Sequence, residues 1–482
     1  MKTKPARDIF YYALRIVTVG FLAAIGSGCI SADPVDDRRR AVDLAGARLA
    51  EPLSTSVLEG SAQDPPAAWN GETPLDADTA VEVALSRDPS IRQTLAMVDM
   101  ARAELAQEDR APNPVVGLNV GIPIDGIAGG PALATLAQQV TWLWTRPWRI
   151  EAADADRRAA ILRAAAAIVD LDARIRHRHA ETIAAAELAT IDRNFADITR
   201  RSMELVQKRL QAGEASQLDL DRAVVEARKA EVAADASEIT SRANRVELLA
   251  DIGLPSSDSD FEIVGALDRG SEPIPTEVLV VALSATARLD VAARGMDLLA
   301  AEARTGLART RRLPEVTATL NWTRNVGDRE ALGPGGRISI PIFDDGTPGI
   351  AAAASKVREK MFALLETQRS AIAQARLVRE RLLAANVQAL GYRDRVLAPA
   401  ILAEERAELS YDEGVSDLTV LLLAQQRRIN AERSAVGHEL QVTLRRIDLA
   451  RAVGGSLELE PVVPTIPSIE EMEQRSEQEA SG

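Results

Sequence analysis

The sequence predicts a mainly α-helical chain with a small β part, arranged as two tandem repeats, each a helix, a β-hairpin, a long helix and a further helix. Three observations lead there. First, alanine-rich stretches run far without a breaker: no proline occurs between Pro147 and Pro255. Second, two short stretches alternate instead. In "PNPVVGLNVGI" (112–122), Val116, Leu118, Val120 and Ile122 fall on one face. In "PEVTATLNWT" (314–323), Val316, Ala318, Leu320 and Trp322 share a face opposite Thr317, Thr319, Asn321 and Thr323. That period of two is the signature of a strand. Third, landmarks recur at nearly constant spacing: "VALS" at 83–86 and 281–284, Val116 with Val316, Val140 with Ile340, Pro147 with Pro348, Gly213 with Gly414.

Composition supports that class. The 482 residues are 46% hydrophobic but only 3% aromatic, and much of the apolar share is alanine, which suits closely packed helices rather than a bulky core. The net charge of −14 disfavours non-specific nucleic-acid binding, which needs clustered cations to displace phosphate counterions.

Taken in order, residues 1–28 have a basic start (Lys2, Lys4, Arg7), an apolar run from Ile16 to Ile25 and small residues before Cys29, and read as a signal peptide. Cys29 is the only cysteine. "GSGC" resembles a lipobox, with Gly26 where an aliphatic residue is usual; the resemblance implies acylation of Cys29, and Ile30 after it implies sorting to the outer membrane. Residues 29–74, rich in Asp, Pro, Ser and Gly, read as a lipid-anchored tether. The first repeat covers 75–252. It opens with a helix capped by Asp76 or Asp78, on which Ala84, Ile91, Leu95, Val98 and Leu105 form a coiled-coil seam.

A hairpin follows, its second strand read from the alternation of Val140, Trp142 and Trp144, with Trp148 nearby as a candidate aromatic belt. Then a helix from about 147 to 211 would be about 100 Å long, and Gly213 turns the chain into a helix over 216–252. A linker over 253–276 leads to the second repeat, 277–455: helix to about 311, hairpin 315–343, helix 348–412, a turn at Gly414 and a helix to about 453. The tail, 456–482, holds seven glutamates and one arginine and reads as disordered.

The strands limit what the chain does alone. No run of about 18 apolar residues follows the leader, so membrane insertion must use the strands. A β-structure in a bilayer closes into a barrel, and small barrels need about eight strands. Four strands therefore imply an oligomer.

Catalytic chemistry finds little footing, and the reading is of a protein that is no enzyme and has no cofactor. With one cysteine and three histidines, neither a Cys–His pair nor a zinc cluster assembles. His177 and His179 point to different faces of one helix. "GPGG" (333–336) reads as a loop beside a strand rather than a phosphate cradle.

Several stretches resemble the TolC-like outer-membrane factor family, over about residues 75–455. "AVEVALSRDPSIRQTLAMVDMARAELAQEDRAPNP" is similar to the family's opening helix, "QAGEASQLDLDRAVVEARKAE" to the turn between its paired long helices, and "YDEGVSDLTVLLLAQQRRINAER" to the equivalent turn of the second half. The resemblance implies a homotrimer whose twelve strands form a transmembrane β-barrel and whose helices form an α-barrel across the periplasm. It would serve as the outer-membrane exit channel of a tripartite pump, working with a periplasmic adaptor and an inner-membrane pump. It also implies that Gly213, Glu214, Ala215, Ser216, Gly414, Val415, Ser416 and Asp417 form the adaptor-contact tip. Val420 and Leu423 stand where some members carry an aperture ring of aspartates, leaving Asp219, Asp221 and Asp417 as candidate aperture carboxylates. A scaffold lipoprotein bridging other envelope proteins is the alternative expectation.

Overall fold

A computed structural model describes residues 30–49, 53, 69, 71, 73–122, 130–255, 258–325, 329–340 and 342–456. Cys29, the leader and all of the acidic tail except Ser456 lie outside these residues. The elements are α1 (Val35–Leu49), α2 (Ala77–Arg87), α3 (Pro89–Glu108), β1 (Val115–Val120), β2 (Ala132–Gln139), α4 (Trp142–Gln211), α5 (Gln217–Asp251), α6 (Glu277–Thr286), α7 (Leu289–Arg309), β3 (Glu315–Arg324), β4 (Glu330–Ser339), α8 (Thr347–Tyr392), α9 (Ala398–Asp412) and α10 (Leu418–Val453). The order helix, helix, strand, strand, long helix, helix thus occurs twice. The chain forms two compact units: one from the described parts of Met1–Asp37, Met97–Ala160 and Gly295–Phe362, the other from Arg38–Ala96, Ile161–Arg294 and Ala363–Gly482.

The first unit holds the sheet. Its strands run antiparallel in the order β1-β2-β3-β4, so the central pairing, β2 with β3, joins the two halves of the sequence. The second strand of the first hairpin is Ala132–Gln139, not the Val140–Trp144 alternation. Thr141 ends it: its Oγ1 accepts the Val316 N–H at 2.8 Å and so takes the next place on the β3 ladder. The Thr145 hydroxyl then donates back to the Thr141 carbonyl at 3.3 Å, and Trp142 and Trp144 lie in the first turns of α4. Consequently α4 begins at Trp142, with Pro147 inside it. "GPGG" lies within β4, where Pro334 pairs with Leu320. A proline is tolerated there because β4 is the edge strand of the sheet within this chain.

The second unit is helical, and small side chains let its helices approach. Val280 and Leu283 of α6 pack with Ala375, Leu382, Ala385 and Ala389 of α8 and with Val442 and Leu449 of α10, all buried. A second cluster joins Val206, Ala223, Ala407, Tyr411, Leu418, Leu421 and Ala424 from α4, α5, α9 and α10. The linker contributes a short parallel bridge: Leu75 N–H donates to the Glu262 carbonyl at 2.8 Å, and Val264 N–H to the Leu75 carbonyl at 3.0 Å.

Several helices depart from the expected continuous ones. The opening helix of each half is broken. In the first, Pro89 forces Asp88 to extended ψ of 119°; Asp88 Oδ1 then accepts the Ser90 N–H at 2.6 Å. In the second the break falls at Ala287–Arg288 without a proline. The seam residues Ala84, Ile91, Leu95, Val98 and Leu105 are all buried, so one apolar stripe continues over two helices. Asp76, not Asp78, is the cap of α2, accepting the Thr79 N–H at 2.7 Å. The expected helix 348–412 contains a π-helical turn, Arg393–Leu397. Pro399 lies just beyond it, and a proline in a regular helix clashes with the carbonyl four residues back, here Arg395. Finally, the stretch read as a tether contains α1, with Ala41, Val42 and Ala45 buried.

Candidate functional site

The register sorts the sheet into two chemically different faces, because directly opposed residues of antiparallel strands share a face. Val116 opposes Leu136, which opposes Leu320, which opposes Pro334; Leu118 opposes Ala134, then Trp322, then Leu332. Val120, Val316, Ala318 and Ile338 lie on this same side. The apolar residues picked from two strands 200 positions apart therefore make one continuous face. Ile122 lies just beyond β1.

The other face carries Gly117, Asn119, Thr135, Thr317, Thr319, Asn321, Thr323 and Gly335, interspersed with Val115, Leu133, Ala137 and Ala331. Thr135 Oγ1 donates to Asn321 Oδ1 at 3.0 Å, and Asn321 Nδ2 donates to Thr319 Oγ1 at 3.2 Å. The polar row needs a neighbour without a side chain, since a Cβ at Gly335 would lie 2.8 Å from Thr319 Oγ1.

No other element of the described chain covers the apolar face. Val116, Leu118, Val120 and Ile122 are 67%, 75%, 74% and 84% exposed, and Ile338, Ile340, Ile342 and Phe343 extend the exposed run past β4. Strands β1 and β4 each have one unpaired edge. A bare edge is a template for pairing with another chain. Among the described residues no helix is long and apolar enough to cross a membrane.

The second unit holds the two glycine turns. Gly213 has φ +81° and Gly414 φ +73°, the left-handed region that a Cβ disfavours. Both end their helix with the same double bond pattern: Glu214 N–H to the Arg209 carbonyl at 2.8 Å with Gly213 N–H to Leu210 at 3.0 Å, and Val415 N–H to Ser410 at 2.9 Å with Gly414 N–H to Tyr411 at 3.1 Å. Glu214, Ser216, Val415 and Asp417 are exposed, while Ala215 and Ser416 are partly covered. The turns are neighbours: Ala215, Leu220 and Leu422 flank the cluster around Tyr411 and Leu418, and the Arg209 guanidinium stacks 4.3 Å from the Tyr411 ring centroid.

All three candidate aperture carboxylates already bond locally. Asp219 completes a capping box: it accepts from Ser216 N–H at 3.1 Å and from the Ser216 hydroxyl at 2.6 Å, while Ser216 caps α5. Those bonds from Ser216 hold the Asp219 carboxyl below the usual range. Asp221 accepts from Gln217 Nε2 at 2.9 Å, and Asp417 caps α10 through the Val420 N–H at 3.1 Å. A shallow groove of about 450 Å³ between α5 and α10, lined by Asp221, Arg222, Val225, Glu226, Thr419 and Leu423 among others, lies beside them. Neither sequence half alone points to that groove, because its walls come from both.

The histidines go to separate partners. His177 Nε2 lies 3.1 Å from Asp448 Oδ1, whereas buried His179 meets the Leu75 carbonyl at 3.2 Å. Among the described residues no group of three or more His, Cys, Asp or Glu converges as a metal site. Trp142 lies 5.7 Å beneath the Arg146 guanidinium.

No protein-family model and no curated protein matches this sequence. Solved structures do. The chain is similar to the outer-membrane channel OprN (18% identity, TM-score 0.66, covering 80% of this chain and 91% of that one). It is similar also to CusC, whose crystal structures describe conformational changes accompanying folding and transmembrane channel formation (16%, TM-score 0.67, 80% and 94%). A third is the outer-membrane protein VceC of Vibrio cholerae (17%, TM-score 0.64, 79% and 97%). The strand faces, the paired glycine turns and these likenesses agree with the resemblance read from the sequence: the chain has the fold of the TolC-like outer-membrane factors, the family of outer-membrane efflux channels.

Proposed function

We propose that this chain is the outer-membrane exit channel of a tripartite efflux pump, of the RND type rather than type I secretion, and a passive duct for small molecules or ions. One observation carries the reading: the four-stranded sheet has an uncovered apolar face, a polar face and two unpaired edges. In water that surface is unfavourable at about 25 cal/mol per Å² of apolar area; in a bilayer it is the outside of a barrel. Three copies supply twelve strands, with Val116, Leu118, Val120, Ile122, Val316, Ala318, Leu320 and Trp322 toward lipid and the Thr/Asn/Gly rows toward water. Cys29 carries the lipid anchor of a homotrimer in the outer membrane of a Gram-negative bacterium, with the helices in the periplasm. The turns around Gly213 and Gly414 meet the adaptor, which links the duct to the inner-membrane pump that supplies the energy.

The fold likeness supports this reading, since the compared proteins are outer-membrane channels. Asp219, Asp221 and Asp417 bias the periplasmic opening toward cations, as rings of carboxylates do. Purified protein is expected to run on a gel as a heat-resistant trimer and to show discrete conductance steps in planar bilayers. Asp219→Asn combined with Asp221→Asn is expected to lower the preference for cations. A monomer without conductance defeats the channel reading, and unchanged selectivity in the double variant defeats the aperture role alone.

A further inference from the structure

Where the sheet of the first unit gives way to helix there is a cavity of about 650 Å³, within the roughly 300–1,000 Å³ of small-ligand sites. Its walls come from the end of β2, the first turns of α4, the segment between α7 and β3, and the chain just past β4. Three hydroxyls there are already used. Thr141 holds its place on the β3 ladder, Thr145 donates to the Thr141 carbonyl, and Thr310 donates to the Leu307 carbonyl at 2.6 Å.

Other polar groups on the same wall are not used. The Trp142 indole N–H is buried and has no hydrogen-bond partner among the described residues, although a buried indole N–H usually finds one. The Arg311 guanidinium and the Glu315 carboxylate, both exposed, have no ion-pair partner among the described residues. Arg149 is 3.7 Å from Glu108, and Asp344 uses one oxygen, which accepts the Gly346 N–H at 2.9 Å. Beside these charges Ile340, Ile342 and Phe343 also line the cavity, 70%, 74% and 102% exposed. They continue along the chain from Ile338 of the apolar sheet face.

The mixture of signs narrows the ligand. A simple anion would meet Glu315 and Asp344, and a simple cation would meet Arg149 and Arg311; a zwitterion satisfies both pairs. A zwitterion without an apolar tail would leave the isoleucines and Phe343 bare. A primary ammonium gives the carboxylates three hydrogen-bond donors, whereas a quaternary one gives none. The Trp142 ring, which could otherwise attract a quaternary ammonium, already has the Arg146 guanidinium over it at 5.7 Å.

We propose that this cavity seats the headgroup of a phosphatidylethanolamine-type phospholipid. Arg149, Arg311 and the Trp142 N–H take the phosphate, Glu315 and Asp344 take the ammonium, and the acyl chains follow Ile340, Ile342 and Phe343 toward the apolar sheet face. This rests on the channel reading, which puts that face in lipid.

The test titrates full-length protein, purified in detergent and stripped of lipid, with short-chain phosphatidylethanolamine, and counts adducts by native mass spectrometry. Phosphatidylcholine, phosphatidylglycerol and free phosphoethanolamine are each expected to bind about tenfold more weakly or worse, as follows from losing a hydrogen bond to a charged group or the apolar contact. Arg311→Ala and Glu315→Ala are each expected to weaken phosphatidylethanolamine binding about tenfold, while Arg309→Ala, exposed and outside the cavity, leaves it unchanged. Trp142→Phe, which removes the N–H and keeps a ring, is expected to weaken it too and covers the case in which a charge variant misfolds. Equal binding of phosphatidylglycerol, or an Arg309→Ala loss as large as that of Arg311→Ala, means general attraction to lipid and overturns the site. Equally tight binding of free phosphoethanolamine overturns the lipid assignment. Charge variants that bind lipid normally but fall apart into monomers give the cavity to a second copy instead. A conducting trimer that binds no lipid overturns the pocket and leaves the channel standing, whereas a lipid-binding monomer without conductance does the reverse.

Discussion

The turns at 213–216 and 414–417 solve one backbone problem with different side-chain chemistry. Each has a glycine at positive φ and the same pair of terminal bonds. They diverge at the cap of the following helix. Ser216 and Asp219 bond reciprocally in a capping box, while the second turn has Asp417 at the cap and Val420 at the matching third position, leaving a single side-chain bond. Val420 is half exposed and contributes apolar surface there instead. The backbone turn is thus common to both halves, whereas the surface shown at the two turns is not: one is polar and locally satisfied, the other is apolar, with Val415 77% exposed.

The largest effect should come from the shared feature. Gly213→Ala and Gly414→Ala should each cost about 1 kcal/mol or more, since left-handed backbone disfavours a Cβ by about 1–2 kcal/mol. A Cβ at either position meets nothing within 4 Å, so the two costs should be equal; unequal shifts in denaturant midpoint would show that the turns are not the same backbone solution. The caps come next. Ser216→Ala and Asp417→Ala should each lose roughly 1 kcal/mol, with Ser216→Ala the greater because Asp219 loses its partner too. Equal losses would mean that the capping box adds nothing.

The smallest effect is with pH. Because the Asp219 carboxyl is depressed in the folded chain, its contribution is complete above the ordinary aspartate range and is lost as pH falls through the lowered value. The stability difference between wild type and Asp219→Asn should therefore shrink on acidification. A difference that grows instead contradicts the bonding described.

Much of this architecture was legible because it depends on period and punctuation. The strand faces followed from alternation, and the turns from glycine within otherwise helical sequence. What was missed involves tertiary competition. Trp142 and Trp144 continue the alternation of Val140, but Thr141 takes a ladder position with its hydroxyl and lets a helix start. Strand β2, "ALATLAQQ", is too rich in alanine to show an apolar face. In "GPGG" the local breaker signal was read as a loop, whereas the edge strand β4 accepts it. The breaks beside Pro89 and Pro399 were missed, since both helices were read straight through these prolines. For α1 the Asp-rich composition hid a helix whose partners are distant in sequence, Arg157 being 120 residues from Asp37. The groove beside the turns was equally invisible, because Arg222 and Thr419 meet only when α5 and α10 pack.

The bare edges of β1 and β4 carry a consequence for the life of a single newly made copy. Such a copy has no harmless resting state: each edge pairs with whatever extended chain it meets, correct neighbour or not. On the proposed channel reading, its fate is decided by a race between finding siblings at the membrane and being captured elsewhere. On that same reading, production in excess of membrane capacity favours the wrong side of the race, so the safe ceiling on synthesis would be set by available membrane rather than by the stability of the fold.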